Sequence, residues 1–207
     1  MTHRRTTAVA VLAAVVLLLV GCGTVPAAAP SASAPPPPPP KPVVDVPVAA
    51  ATPTPVRPAV APVRVSIAAA GIDVPVVPVG VEPSGLMELP VDPAVGGWYR
   101  FGPDPAADKG NVLISAHVDA PGFPIGPFSR IRDLGAGDVV DVVDAEGVTH
   151  TYAIQSVTFY PKSSLPVDEI FARDGSPALV LVTCGGAFDA STGTYEDNVV
   201  AIATPVA

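Results

Sequence analysis

The chain has 207 residues and a formal net charge of −8, with 28 Pro, 18 Gly, two Cys and 14% charged residues. That length holds one domain with additions, or two small ones. Apart from Arg4-Arg5 its few Lys and Arg are scattered singly, which excludes a nucleic-acid surface built on clustered cations. Two cysteines 162 positions apart make neither a disulfide scaffold nor a zinc site.

The chain opens Met1-Thr2-His3-Arg4-Arg5 and then runs without a charge from Ala8 to Val20. A positive flank before a short apolar core is the layout of a secretory signal peptide. Thirteen apolar residues fall short of the roughly 20 that a bilayer-spanning helix needs. The run ends Leu19-Val20-Gly21-Cys22, which resembles the bacterial lipobox, whose cysteine is lipidated and becomes the mature N-terminus. Lipidation at Cys22 is the expected membrane attachment, because cysteine is rare in this chain and sits where a lipobox requires it; two or more acyl chains would anchor more firmly than one. An ordinary signal peptide, or an uncleaved anchor with an incidental cysteine, is the alternative. On each reading residues 1–22 are an export address.

Residues 23–62 hold 14 of the 28 prolines, including Pro35–Pro40, among Ala, Val, Ser and Thr. Proline removes amide donors and fixes φ, so helix and central strand are both excluded. A semi-rigid polyproline II spacer rises about 3.1 Å per residue and reaches on the order of 100 Å when extended. That would hold a head domain away from the membrane, within the cell wall. A Pro-rich ligand for a partner domain is the other possible use.

From 63 to 207, seven Lys and Arg face 18 Asp and Glu, and the segment is long enough for one core. Short Val- and Ile-rich runs broken by Pro, Gly and Asp predict strands at Val63–Ala69, Ile72–Pro75, Val112–His117, Asp138–Val143, Thr149–Phe159, Ala178–Thr183 and Asn198–Ala203. Helix signals are confined to Val167–Phe171, with Asp168 and Glu169 in its first turn, and to Phe128–Leu134. Short strands without crossover helices predict a mainly β barrel or sandwich. Zinc-ligand spacing, a P-loop and a G-x-S-x-G elbow are all missing from the sequence, so no metal or cofactor is expected.

Cys184 closes the apolar run Leu179-Val180-Leu181-Val182-Thr183 and precedes Gly185-Gly186, which places a thiol at the lip of a strand. A lone buried cysteine is usually only a small hydrophobe, whereas an unpaired thiol in an exported protein is a candidate for reactivity. The two glycines would let a substrate backbone approach the sulfur. His117 ends the run Val112-Leu113-Ile114-Ser115-Ala116, also at a strand lip, while His150 sits in a polar hairpin and reads as surface. An imidazole brought beside a thiol in space serves as its acid and base partner. A packed cysteine and a strand-end histidine are the competing interpretation.

The string Leu181-Val182-Thr183-Cys184-Gly185-Gly186-Ala187-Phe188-Asp189, followed by Tyr195-Glu196-Asp197-Asn198-Val199-Val200, resembles the catalytic-strand signature of actinobacterial class F sortases. Gly110-Asn111-Val112-Leu113-Ile114-Ser115-Ala116-His117-Val118-Asp119 resembles their histidine motif, and Phe128-Ser129-Arg130-Ile131-Arg132-Asp133-Leu134 with Gly137-Asp138 the segment that follows it. The likeness spans about Val63 to Ala203. It implies an eight-stranded β-barrel, with residues 63–207 as the catalytic domain, and a cysteine transpeptidase that cleaves an LPXTG-like sorting signal between Thr and Gly. Carried over, Cys184 attacks the Thr carbonyl and forms a thioester, and His117 protonates the departing amine and then deprotonates an incoming amine or water. The implied partners are the sorting-signal peptide of secreted proteins and an amine acceptor, peptidoglycan or other. The implied location is the outer face of the cytoplasmic membrane of a Gram-positive actinobacterium.

The family supplies an arginine from the strand after the cysteine, and this chain has no Arg or Lys after Cys184. Asn198 is the expected neutral donor to the oxyanion, and Arg130 is the expected cationic replacement, ahead of Arg100 and Arg132. Asp119 shares the face of His117 on a continuing strand and would orient the imidazole, although a turn before Ala120-Pro121-Gly122 is its more ordinary role. Trp98, Tyr99 and Phe101 are expected in the core or groove wall. A catalytically degenerate, peptide-binding lipoprotein of the same fold is the alternative function. An L,D-type transpeptidase ranks last, because Val182-Thr183 stands where that chemistry places His-Gly.

Overall fold

The computed structural model describes residues 57–206. The expected signal peptide, Cys22 and nearly all of the Pro-rich spacer lie outside the described residues. Eight strands follow one another: β1 (Pro62–Ile67), β2 (Ile72–Val79), β3 (Gly96–Tyr99), β4 (Asn111–Ser115), β5 (Val139–Asp144), β6 (Thr149–Pro161), β7 (Ala178–Asp189) and β8 (Thr194–Pro205). They close into a barrel in the order β1-β2-β3-β4-β7-β8-β6-β5. Closure leaves no unpaired edge, which suits a Val- and Ile-rich chain that would otherwise expose strand templates. One α-turn, α1 (Val167–Ile170), and a 3-10 segment at Pro127–Asp133 fall where the sequence placed its two helix signals.

Period-two alternation builds the wall. In β2, Ile72, Val74 and Val76 point inward while Asp73, Pro75 and Val77 face out. The sequence ends this strand at Pro75; the structure carries it to Val79 through two prolines. The register explains how. Residues 72–75 pair only with β1, and 76–79 pair only with β3. Pro75 and Pro78 therefore each have one strand neighbour, and a missing amide removes at most one ladder bond. Strand β3, which the sequence missed, reads Gly-Gly-Trp-Tyr. Its glycines fit because a Cβ on Gly97 would lie 3.0 Å from Val79 Cγ1. Trp98 is buried in the core, its indole N–H donating to the Pro103 carbonyl, whereas Phe101 is exposed.

Phe128 and Ile131 of the 3-10 segment are fully buried and pack into the barrel core with Ile114, Val140, Leu179 and Leu181. Strands β4, β7 and β8 are covered on their other face as well. There Leu113, Val180 and Val200 pack against Ile170 of α1, with Tyr99 and Phe171 alongside. Burial on both faces is why Leu179 to Val182 reads as an unbroken apolar run rather than an alternating one. The same three strands carry the candidate residues: His117 just past the end of β4, Cys184 within β7 and Asn198 within β8. Ahead of β1, Val60 N–H and the Arg57 guanidinium both engage the buried Asp104 carboxylate, which ties the last spacer residues to the barrel.

Candidate active site

Strands β4 and β7 run parallel, pairing from Asn111↔Ala178 to Ser115↔Val182. β4 ends at Ser115, whereas β7 runs on through Cys184 to Asp189, so the strand end expected at Thr183 is not one. His117 lies two residues beyond the last pair on one side and Cys184 two beyond it, still in its strand, on the other. Three hydrogen bonds close the gap above the ladder. Ser115 Oγ donates to the Val182 carbonyl at 2.9 Å, Ala116 N–H donates to the same carbonyl, and Thr183 Oγ1 donates to the Ala116 carbonyl at 2.7 Å. The residue before each candidate catalytic side chain is thereby fixed to the other strand. Thr183 and Ala116 are both buried, so these ties are shielded from water.

His117 and Cys184 line one cleft of about 310 Å³ together with Asp119, Lys162, Phe188 and Tyr195. A larger open depression of about 580 Å³ next to Arg57, Lys109 and Arg173 contains neither a thiol nor an imidazole. The Cys184 thiol is partly buried and free. Burial pushes its pKa up; the positive charge of Lys162 acts against that, and the Asp119 carboxylate adds to it. At neutral pH the sulfur is therefore held largely as the thiol, and an attacking thiolate needs a proton acceptor in the cleft. His117 is the imidazole placed there.

The other sequence-nominated residues divide. Asn198 of β8 pairs directly with Cys184 of β7, so the two side chains share a face of the sheet. Arg130 does not line the cleft. It sits in the 3-10 segment, and its guanidinium donates to the Gly71 carbonyl between β1 and β2 at 2.6 Å. Arg132 donates to Ser129 within its own turn, and Arg100 lies over the Phe101 ring. The Asp119 carboxylate accepts a hydrogen bond from Tyr195 Oη at 2.6 Å, so its partner is a phenol across the cleft rather than the imidazole. His150 is not a surface residue: on β6 it meets the buried Asp144 carboxylate at 2.9 Å. The expected role of the two glycines also changes. A Cβ on Gly185 would lie 2.5 Å from Val199 Cγ2, and one on Gly186, whose φ is +74°, 2.6 Å from Asp197 Oδ2. Neighbouring strand β8, not a substrate, occupies the space they leave.

Lys162 and Tyr195 escaped the sequence reading. Lys162 follows β6 immediately, and β6 pairs with β8 as far as Pro161↔Asp197, which delivers the ammonium to the start of β8. No local motif marks it. Tyr195 lies within the string that resembles the sortase signature and carries no role from the sequence alone; its ring meets Phe188 edge-to-face with centroids 5.2 Å apart.

A closed barrel with a thiol and an imidazole at one lip is the framework of a cysteine acyl-transfer enzyme. The family model described as "Sortase domain" matches residues 65–206, and the chain belongs to the sortase family, whose members are cysteine transpeptidases acting on sorting signals. Among solved structures it is similar to the Group B Streptococcus Pilus Island 1 sortase C2, with TM-score 0.53 and 16% identity over 70% of this chain and 73% of that one. Sortase C1 from Streptococcus agalactiae gives TM-score 0.53 and 20% identity over 70% and 66%. Sortase C from Clostridium perfringens SM101 gives 0.52 and 16% over 70% and 68%. These likenesses are likenesses of fold. No curated protein matches the chain in sequence.

Proposed function

We propose that the chain is an exported, membrane-tethered transpeptidase of the class F sortase type, acting on an LPXTG-like sorting signal. The observation that supports this most directly is the shared cleft of Cys184 and His117. The sulfur attacks the Thr carbonyl carbon. As the S–C bond forms, the C–N bond to Gly breaks, and the departing amine takes a proton from the imidazolium that accepted the thiol proton. An incoming amine, or water, then gives its proton to the neutral imidazole and displaces the thiolate from the thioester. Asn198, across from Cys184, is the neutral donor toward the oxyanion. The class assignment rests on the motifs around His117 and Cys184. In this reading lipidation at Cys22 and the Pro-rich spacer hold the barrel off the outer face of the cytoplasmic membrane, within the wall.

The test is mass spectrometry of the full chain incubated with an LPXTG-type peptide and an amine acceptor. The expected result is a thioester adduct on Cys184 and transferred product, with the adduct absent in Cys184→Ala and cleavage lost in His117→Ala. Peptide binding that survives Cys184→Ala, with no adduct in the parent, would instead identify a peptide-binding lipoprotein.

A further inference from the structure

Acyl transfer to sulfur places negative charge first on the thiolate and then on the attacked carbonyl oxygen, and a site that stabilises both needs a cation or a set of donors. Among the described residues lining the cleft, Lys162 alone carries a fixed positive charge. Its position is built rather than incidental. β6 is paired to β8 up to Pro161↔Asp197, the next residue is Lys162, and its ammonium donates to Thr194 Oγ1 in the first residue of β8. Tyr195, the following residue, is tied to Asp119 on the opposite side of the cleft. The start of β8 is thus held from both flanks, and the ammonium is held with it.

We propose that Lys162 is a catalytic residue of this site, the cation that stabilises the Cys184 thiolate and the oxyanion of the bound acyl group. This rests on the transpeptidase reading for its reaction, although its first test does not. The charged and titratable groups around the cleft come from each neighbouring element: His117 and Asp119 beyond β4, Arg132 of the 3-10 segment, whose charge reaches Tyr195, Lys162 after β6, and Tyr195 on β8, with the Asp197 carboxylate beside Gly186. Burial and Asp119 disfavour the thiolate, and Lys162 is the group that favours it. A lysine suits the role because its compact charge sits on a flexible stem with three donors, so one can stay on Thr194 while another turns toward substrate.

Two probes of the full chain separate the two charges. Iodoacetamide forms an S–C bond with loss of iodide and reads only the sulfur. p-Nitrophenyl acetate acylates the sulfur as its C–O bond breaks and p-nitrophenolate leaves, and so reads the oxyanion as well. In Lys162→Met the alkylation profile moves to higher pH, with a rate at pH 7.5 lower by about 2–5-fold, the range of an exposed charge pair. Acylation falls further, by about tenfold or more. Lys162→Arg keeps both rates within about twofold. Lys162 is exposed, so its substitution leaves the melting temperature in place and the comparison is made on folded protein. An alkylation profile in Lys162→Met that overlays the parent would overturn the thiolate role, and an acylation loss no larger than the alkylation loss would overturn the oxyanion role. If the parent cleaves sorting peptides and Lys162→Met cleaves them equally well, the transpeptidase reading stands and this inference falls. If Lys162→Met shifts both probes but the parent cleaves no peptide, the inference stands without that reading.

Discussion

Thr183→Val tests whether the ties above the β4–β7 ladder position the catalytic pair or only hold the barrel together. Valine preserves the shape of threonine and deletes one donor. Thr183 is 2% exposed, and the bond it gives to the Ala116 carbonyl is buried, at 2.7 Å. A buried hydrogen bond of this kind contributes about 0.5–1.5 kcal/mol net, and leaving its acceptor desolvated raises the loss to about 1–3 kcal/mol. For a domain of this size each kcal/mol moves Tm by about 2–4 °C, so the variant should melt about 2–12 °C lower. The paired ladder ends at Ser115↔Val182, so this bond is the outermost tie between the two strands before His117 and Cys184. Since misplacement by an ångström costs up to about 10²-fold, acylation of Cys184 by p-nitrophenyl acetate at 25 °C should slow by about 10–100-fold while the protein is still folded. Iodoacetamide alkylation, which needs only an accessible thiolate, should change far less. Thr183→Ser, which retains the hydroxyl, should recover most of the acylation rate. A variant that melts lower yet acylates at the parent rate would refute the positioning argument and leave a purely structural bond.

The raised Cys184 pKa predicts an alkylation rate that climbs about tenfold per pH unit from pH 6 to 8 without levelling, because the thiolate fraction is small throughout that range. Asp119→Asn removes a negative neighbour while keeping an acceptor for Tyr195, so the thiol pKa should fall and alkylation at pH 7.5 should rise by about 2–5-fold; a slower rate would contradict the assigned sign. Gly185→Ala forces a methyl against the fully buried Val199 and should destabilise by about 1–3 kcal/mol in urea melts, with an unchanged midpoint refuting the steric account. Asp144 has its carboxyl pKa depressed, first by the hydrogen bond from His150 and also by the Val148 and Glu146 amides. Its contribution is complete above the unfolded value of 3.8 and is lost as pH falls through the lower folded value. His150→Ala should therefore lower the urea midpoint at pH 7 and flatten its decline below pH 4, and an equally steep decline would refute that source.

Cys184 and His117 stood out because each closes an apolar run with a reactive side chain. At His117 the strand does end just before, at Ser115, but at Cys184 the expected turn is absent: β7 continues through Gly185 and Gly186 to Asp189, the glycines making room for Val199 and Asp197 of β8. The parallel pairing that brings the two residues together was not legible, since β4 and β7 are separated in sequence by two strands, the 3-10 segment and α1. Period-two reading also failed where its assumption of one face in and one face out failed. Gly96–Tyr99 offers too few β-branched residues to register as a strand, and Pro75 and Pro78 interrupt a strand that tolerates them only by changing neighbours midway.

The cation is the instructive case. Sequence proximity to His117 makes Arg130 the expected cation near the sulfur, but the 3-10 segment turns it toward Gly71. Lys162 lies 22 positions before Cys184 and reaches the cleft only because β6 lies beside β8 and is thirteen residues long. Had β6 ended at Phe159, where the sequence pattern ends, the lysine would fall short of Thr194. The test that follows is insertional: one residue added between Phe159 and Tyr160 should bulge β6 and displace Lys162 while leaving His117, Cys184 and the β4–β7 ties untouched. The expected signature is the acylation loss of Lys162→Met with the alkylatable thiol intact and a Tm within a few degrees of the parent. Parent-level acylation in that variant would mean that the ammonium's placement by β6 does not matter to the chemistry.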